Sequence, residues 1–212
     1  MRLTKFAHSC VRLEDGPNTL VLDPGVFSPT RDALAGAGSV LITHEHPDHV
    51  DVDAVRAAAA ESDLRVWAPA PVAAMLADLG DRVTTVTPGD RLEVPGFAVT
   101  AVGGQHALIH PRIPVVANVG YLIGDTLYHP GDSFVVPTTP VDVLLVPLHA
   151  PWSKTAEVVD FVTAVRPRSA HQIHDGLLNE RGVSGTEAHV ARFAGEFDVT
   201  YRHLAEGDQV EL

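Results

Sequence analysis

The residues best suited to chemistry stand together in one short stretch, residues 43–51, with the sequence THEHPDHVD. Within six residues it holds three histidines and an aspartate, namely His44, His46, Asp48 and His49. Imidazole binds zinc, iron, copper and nickel, and carboxylate adds manganese to that set. A single histidine is more often an ordinary surface or core residue, but four such groups at this spacing favour a metal site.

The sequence on either side predicts how these side chains are positioned. Residues 39–43 form a short apolar, β-branched run that indicates a buried strand, and the Ala-rich residues 52–60 indicate a helix. The cluster then lies where a strand ends and the chain turns. The first two histidines can point both rings at one ion, while the aspartate and the last histidine can face a second ion beside it.

Further candidate ligands follow the ends of later predicted strands. His106 comes after Gly103 and Gly104, which allow a tight turn, and we prefer it to His110, which we expect on a loop at the rim of the site. Asp132 has two oxygens that can bridge two cations. An ordinary Asp-Ser turn is the alternative interpretation of that aspartate.

One more strand end supplies a histidine, and an early one supplies a carboxylate. His174 ends the predicted strand 169–173 and is the better ligand, whereas His171 shares a strand face with Ile173 and is expected to be a core or interface histidine. Asp23 ends a strand near the start of the chain. It either caps a turn or accepts a hydrogen bond that orients a ligand imidazole, and the sequence leaves both open.

The predicted elements form two β-rich halves with interleaved helices. Residues 2–102 have the order β-β-β-β-α-β-α-β-β-β and open with an antiparallel meander. The second helix of this half is predicted over residues 71–79 and ends at Gly80. A long apolar segment, 115–123, leads into a hairpin turn at Gly124-Asp125. The chain continues with predicted strands at 126–129, 141–147 and 169–173 and predicted helices ending near Val165 and spanning 184–193.

Composition bounds the kind of protein. The 212 residues are 45% apolar, which is enough for one sizeable core, and we expect a single domain over residues 1–212. The one cysteine, Cys10, fits a reducing compartment, and no apolar signal segment or membrane-spanning run is evident, so we expect a cytoplasmic protein without a membrane partner. The net charge of −12 argues against nucleic acid as a partner. A small anionic substrate stays open because bound metal reverses the local charge.

The stretch THEHPDHVD resembles the His-x-His-x-Asp-His motif of the metallo-β-lactamase superfamily. His106, Asp132 in HPGDS and His174 in QIHDG follow in the superfamily's order. The opening AHSCVRLE and TLVLDPG is similar to the ascorbate-6-phosphate lactonase-like and UPF0173-like small metal-dependent hydrolases. The resemblance implies an α/β (α+β) fold, a four-layer αβ/βα sandwich of two mixed β-sheets flanked by helices, with the site at one edge of the sheets.

The resemblance also assigns the ligands. The first ion would be held by His44, His46 and His106, the second by Asp48, His49 and His174, and Asp132 would bridge them. The two divalent ions would be zinc first, with manganese or iron as alternatives. The resemblance places His8 at the rim of the site. His149 in the loop PLHAPW would polarise the substrate or donate a proton, and Asp48 would manage a proton while ligated.

This site predicts hydrolysis. Two cations lower the pKa of a bridging water, so that hydroxide is available near neutral pH to attack a carbonyl or phosphoryl centre. We therefore expect a binuclear metal-dependent hydrolase whose partner is a small-molecule substrate, an ester, lactone or phosphodiester. The alternatives are a thioester or redox member of the superfamily and a non-catalytic metal-binding or scaffold protein. Apolar surface on the first hairpin or the C-terminal tail could support a homo-oligomer.

Overall fold

Two seven-stranded sheets dominate the computed structural model, which describes residues 1–124 and 126–212. The first sheet contains β1 (Arg2–Lys5), β2 (Val11–Asp15), β3 (Asn18–Leu22), β4 (Ser39–Leu41), β5 (Arg65–Ala68), β6 (Val83–Thr85) and β14 (Gln209–Glu211). The second contains β7 (Arg91–Val94), β8 (Phe97–Gly103), β9 (Val119–Ile123), β10 (Leu127–His129), β11 (Val143–Pro147), β12 (Ser169–Ile173) and β13 (Thr200–Tyr201). Asp125, part of the predicted hairpin turn, lies outside the described residues.

The helices connect strands within each sheet. They are α1 (Thr30–Leu34), α2 (Val52–Glu61), α3 (Ala70–Met75), a 3-10 helix (Ala77–Arg82), α4 (Thr155–Val165) and α5 (Glu180–Gly195). Helix α2 begins directly after the histidine stretch because Asp51 caps it, its carboxylate accepting the Ala54 amide hydrogen at 3.0 Å. Across the described residues, each helix is too short or too polar to cross a bilayer.

Both sheets follow the same plan. The first has the order β14-β1-β2-β3-β4-β5-β6, antiparallel from β14 to β3 and parallel from β3 to β6. The second has the order β13-β12-β11-β10-β9-β8-β7, antiparallel from β7 to β10 and parallel from β10 to β13. Parallel neighbours need long crossovers, which contain helices except between β10 and β11, where residues 130–142 form a loop. Both sheets are therefore mixed, as predicted.

Three apolar clusters define the layers. The central cluster joins side chains of both sheets, such as Leu22 and Leu41 of the first and Tyr121 and Leu145 of the second. A second cluster packs the other face of the first sheet against α1, α2 and α3. A third packs the other face of the second sheet against α4 and α5. This is the predicted four-layer αβ/βα sandwich.

The two sheets are joined at the edge where the histidine stretch begins. The hydroxyl of Tyr121 in β9 donates to the carbonyl of Ile42 at 2.9 Å, and the Val119 amide donates to the carbonyl of Thr43 at 2.9 Å. Strands β3, β4, β10 and β12 all end at this edge, which is where ligands bind in sheets with parallel strands. The loops that follow these strands carry the candidate site.

Three predicted boundaries differ from the structure. The helix predicted to run to residue 79 is α3 followed by the 3-10 helix, with Gly80 at a φ of +62° inside the kink. The last helix starts at Glu180 instead of residue 184, because the Asn179 side chain accepts from the Gly182 amide. The apolar run 115–123 joins the sheet only from Val119 onward.

Gly25 provides a test of how tightly the histidine stretch is packed. A Cβ atom at Gly25 would overlap the carbonyl oxygen of Asp48. We expect Gly25→Ala to lower the free energy of unfolding by about 1–3 kcal/mol, as overpacking does, in chemical denaturation of chelator-treated protein. Gly38 is exposed with nothing within 4 Å of its Cβ position, so Gly38→Ala is the matched control and should be neutral or slightly stabilising. Equal stabilities of the two variants would contradict the close approach.

Candidate metal centre

All seven predicted ligands come together at one edge of the sheets, in two clusters. One consists of His44, His46, His106 and Asp132, and the other of His8, Asp48, His49 and His174. Within each cluster, one nitrogen or oxygen donor per residue lies within 4.8 Å of the others. The structure thus places His8, which was expected at the rim of the site, within the second cluster.

Asp132 lies between the clusters. Its Oδ2 is 3.2 Å from Nε2 of His106 and 3.2 Å from Nε2 of His174, and its Oδ1 is 3.0 Å from Nε2 of His49. One carboxylate therefore contacts imidazoles of both groups. The indole Nε1 of Trp152 donates to the same Oδ2 at 2.9 Å, which fixes the carboxylate from the cavity side.

Backbone carbonyls fix the orientation of two imidazoles. Nδ1 of His106 lies 2.6 Å from the carbonyl oxygen of Ala107, and Nδ1 of His174 lies 2.7 Å from that of His149. A carbonyl oxygen only accepts, so Nδ1 carries the hydrogen in both rings. The lone pair of each neutral ring is then on Nε2, the atom that faces Asp132.

Asp23 fixes two more imidazoles. Its Oδ2 accepts from Nδ1 of His49 at 2.7 Å and from the Thr43 hydroxyl at 2.7 Å, while its Oδ1 accepts from the Thr43 amide at 2.8 Å. Because the Thr43 hydroxyl hydrogen goes to the carboxylate, its oxygen accepts from Nδ1 of His44 at 3.0 Å. Of the two roles considered for Asp23, the structure therefore supports orientation of imidazoles, which is how outer carboxylates act in metal sites.

The residues present fit a cation. Among the described residues, His49 Nε2, His106 Nε2 and Asp132 Oδ1 are buried without a hydrogen-bond partner. A buried polar atom without a partner costs free energy, and here acceptor atoms face one another. A divalent ion with imidazole and carboxylate ligands removes that conflict.

The electrostatics lead to the same conclusion. Burial opposes charge on His49, but the carboxylates of Asp132 and Asp23 raise its pKa well above the ordinary value. Burial likewise opposes charge on His174, but hydrogen bonds with Asp132 and Asp48 raise its pKa to about 9. Although burial also opposes its ionisation, Asp132 has a pKa well below the ordinary value because of the surrounding imidazoles. The surroundings of Asp132 therefore favour positive charge, which a proton or a metal ion can supply.

Backbone strain concentrates at this edge. His8, Asp23 and His174 have φ values of +55°, +48° and +57°, in a backbone region that residues other than glycine rarely adopt. Each such residue costs about 1–3 kcal/mol unless its surroundings hold it in place. Hydrogen bonds from the site provide that hold, for example the His174 amide donating to the His8 carbonyl at 3.2 Å.

Asn118 is a site residue that the sequence did not reveal. Its amide nitrogen donates to the Pro130 carbonyl at 2.9 Å, and its Oδ1 accepts from the Asp132 amide at 3.0 Å. Gly131 between them has a φ of +62°, and a Cβ there would overlap Asn118 and Thr43. The available signal was a single amide side chain inside an otherwise apolar run.

The other histidines lie farther from the centre. His149 contacts the site through its backbone carbonyl, and its imidazole is not among the described groups that line the cavity over the clusters. Its predicted role in proton transfer or substrate polarisation stays a prediction. His110 is exposed on the loop after β8, and His171 is buried, with Nδ1 donating to the Arg202 carbonyl, as expected for a core histidine.

A cavity of about 300 Å³ opens onto both clusters. Its floor includes His46, Asp48, Asp132 and His174. A larger groove of about 950 Å³ runs along α5 and is lined in part by His8, but its lining includes none of the seven predicted ligands. We take the smaller cavity as the substrate cavity because it is the one that meets the candidate ligands.

Comparisons with known proteins agree with this geometry. The family model described as "Beta-lactamase superfamily domain" matches residues 2–174. Protein Rv0786c of Mycobacterium tuberculosis is 42% identical over 190 residues, 86% of this chain and 89% of the relative. A UPF0173 metal-dependent hydrolase of Methylobacterium nodulans is 30% identical over 185 residues, 74% of this chain and 76% of the relative.

A solved structure shares the fold. Igni18, a metallo hydrolase of Ignicoccus hospitalis, superposes with a TM-score of 0.76 over 99% of this chain and 97% of its own, at 18% identity. That likeness supports the architecture, while the family match and the sequence relatives establish descent. The chain therefore belongs to the β-lactamase superfamily, with the metallo-β-lactamase fold, and is related to the UPF0173 metal-dependent hydrolases.

Proposed function

We propose that this protein is a binuclear metal-dependent hydrolase acting on a small-molecule substrate. The observation that carries the proposal is the position of Asp132, whose carboxylate contacts imidazoles of both clusters while buried acceptor atoms face one another. The first ion would be held by His44, His46 and His106, the second by Asp48, His49 and His174, and both by Asp132. Zinc suits this donor set, and manganese and iron are the alternatives.

Bound ions would supply one part of the chemistry, because they would lower the pKa of a water and polarise the oxygen of the substrate. The protein supplies rigidity. Asp23, Thr43 and two backbone carbonyls hold imidazole rings in one orientation. Preorganised groups of this kind need no rearrangement as charge develops in the transition state.

Asp48 is placed to orient a water molecule. Its side chain is 21% exposed and lines the cavity, whereas that of Asp132 is 3% exposed. Although burial opposes its ionisation, hydrogen bonds from His174 and His8 hold the pKa of Asp48 well below the ordinary value, so this carboxylate stays ionised. We infer that the Asp48 carboxylate accepts a hydrogen bond from the attacking water and so orients it.

His8 is suited to positioning Asp48, and not to binding an ion. The Gly176 amide donates to Nδ1 of His8 at 3.1 Å, so the hydrogen of the neutral ring is on Nε2. Nε2 lies 3.1 Å from Oδ2 of Asp48 and donates to it. Both ring nitrogens are thus engaged within the protein, which leaves His8 no lone pair for a metal.

The proposed hydrolase activity can be tested on purified protein with generic ester, lactone and phosphodiester substrates. We expect activity to disappear on chelation and to return with zinc or manganese, because the protein supplies the ligands and the metal ion supplies the Lewis acid. Asp132→Asn should lower kcat/KM at least about 100-fold, whereas Asp53→Asn, at an exposed aspartate, should not. Activity that survives chelation would contradict metal dependence. No activity on any substrate at full metal loading would favour the scaffold alternative.

The role of His8 can be tested with two variants that share its backbone strain. His8→Ala should lower kcat/KM, and it should also lower the affinity for the second ion, each by about 10–100-fold. This is the usual effect of losing a hydrogen bond to a metal ligand. His8→Gln should restore much of both, because its amide nitrogen reaches the same place as Nε2. Metal affinity is measured by calorimetry beside the kinetics. Loss of one whole ion in both variants would show that His8 is a ligand instead.

A further inference from the structure

The walls of the substrate cavity differ in kind from its floor. Above the four floor residues, the lining consists of Val26, Phe27, Pro47, Ile109, Pro151, Trp152 and Leu177. These residues come from five separate loops, which follow β3, β4, β8, β11 and β12. An apolar rim thus surrounds the donor clusters from several directions.

The rim is exposed as well as apolar. Val26 is 49% exposed, Phe27 48%, Ile109 38% and Leu177 46%. Large apolar side chains scattered singly over a surface need no explanation, but a contiguous group around a concave site marks a ligand-binding surface. The exposed apolar area of this rim would be removed from water by an apolar substrate group.

Positive charge is missing from the same lining. None of the described residues that line the cavity is a lysine or arginine. Lys5, the basic residue closest in sequence to His8, is 2% exposed, and its amino group is bound to the carbonyls of Phe6 and His8 and to Asp175. Proteins recognise phosphate groups mainly with arginine and lysine. From the protein, an anionic group would therefore meet two carboxylates and two imidazoles with no lysine or arginine among the described lining residues, so that its attraction would depend on bound ions alone.

The size of the cavity indicates how much of a substrate it encloses. The cavity of about 300 Å³ lies at the small end of ligand sites. It holds roughly ten water-sized or methylene-sized groups. A carbonyl group and an apolar chain of roughly four to eight carbons fill that space.

We propose that the substrate is an uncharged carboxylic ester or lactone with a short apolar chain, a step that rests on the hydrolase function proposed above. The carbonyl lies over the donor clusters, and the chain lies against Ile109 and Leu177. Water adds to the carbonyl carbon, the bond from that carbon to the ester oxygen breaks, and a proton of the water ends on the leaving oxygen. The products are a carboxylic acid and an alcohol, or one hydroxy acid from a lactone.

The test uses the metal-loaded enzyme with p-nitrophenyl esters of increasing acyl length and with bis(p-nitrophenyl) phosphate. We expect kcat/KM to rise about threefold per methylene, up to about six to eight carbons, because each methylene is transferred from water to the apolar rim. Ile109→Ser and Leu177→Ser should flatten this rise. Val136→Ser, at an exposed apolar residue outside the cavity lining, should leave it unchanged.

Three outcomes would overturn the inference in distinguishable ways. Ester hydrolysis that is independent of chain length would rule out the proposed apolar substrate, while the hydrolase function would still stand. The same holds if the phosphodiester is the better substrate, or if the two serine variants keep the full chain-length dependence. Absence of turnover on all substrates, with both ions bound, removes the hydrolase function itself.

Discussion

The buried carboxylate of Asp132 is the group on which the rest of the site depends. Its oxygens face the Nε2 atoms of imidazoles from both clusters, and those rings have their Nδ1 hydrogens committed elsewhere. Lone pair faces lone pair among buried atoms, where electrostatic interactions are strong. Positive charge between them, from protons or from bound ions, is therefore favoured. The hydrogen bonds at Nδ1 orient the rings so that the lone pairs on Nε2 converge on one region, and this favours a cation at that position.

Packing and hydrogen bonds elsewhere in the fold offset the free energy that is needed to bury these polar groups. Two sheets bury a continuous apolar core, and Tyr121 ties the second sheet to the carbonyl of Ile42 directly before the histidine stretch. Asp23 and Asn118 then fix the loops that carry His49 and Asp132. The same edge carries the strained residues and the exposed apolar rim. The packed layers thus stabilise the fold, and the candidate site lies on the loops at the edge of the two sheets.

Local signals in the sequence located the strand ends and the polar residues after them, and the resemblance to the metallo-β-lactamase superfamily supplied the architecture, which the structure confirms, and the ligand assignment, which stays a prediction. Polar residues that follow apolar strands, such as His174 and Asp132, mark the edge of a sheet. The orientation of His49 by Asp23 left no such signal, since it depends on a contact between residues 26 positions apart. The protonation pattern of His8 depends on a backbone amide 168 positions away, and the apolar rim exists only because separate loops converge. Boundaries moved where a side chain, such as that of Asn179, capped an element earlier than its apolar pattern began.

Elemental analysis of the protein purified without added metal or chelator tests the two-ion centre most directly. About two equivalents of metal are expected in the wild type, with a clear fall in Asp132→Ala and no change in Asp53→Ala. That result would also identify the metal. Less than about half an equivalent in the wild type, with no rise when metal is added, would contradict the shared site, because ligands held this close bind ions without rearrangement.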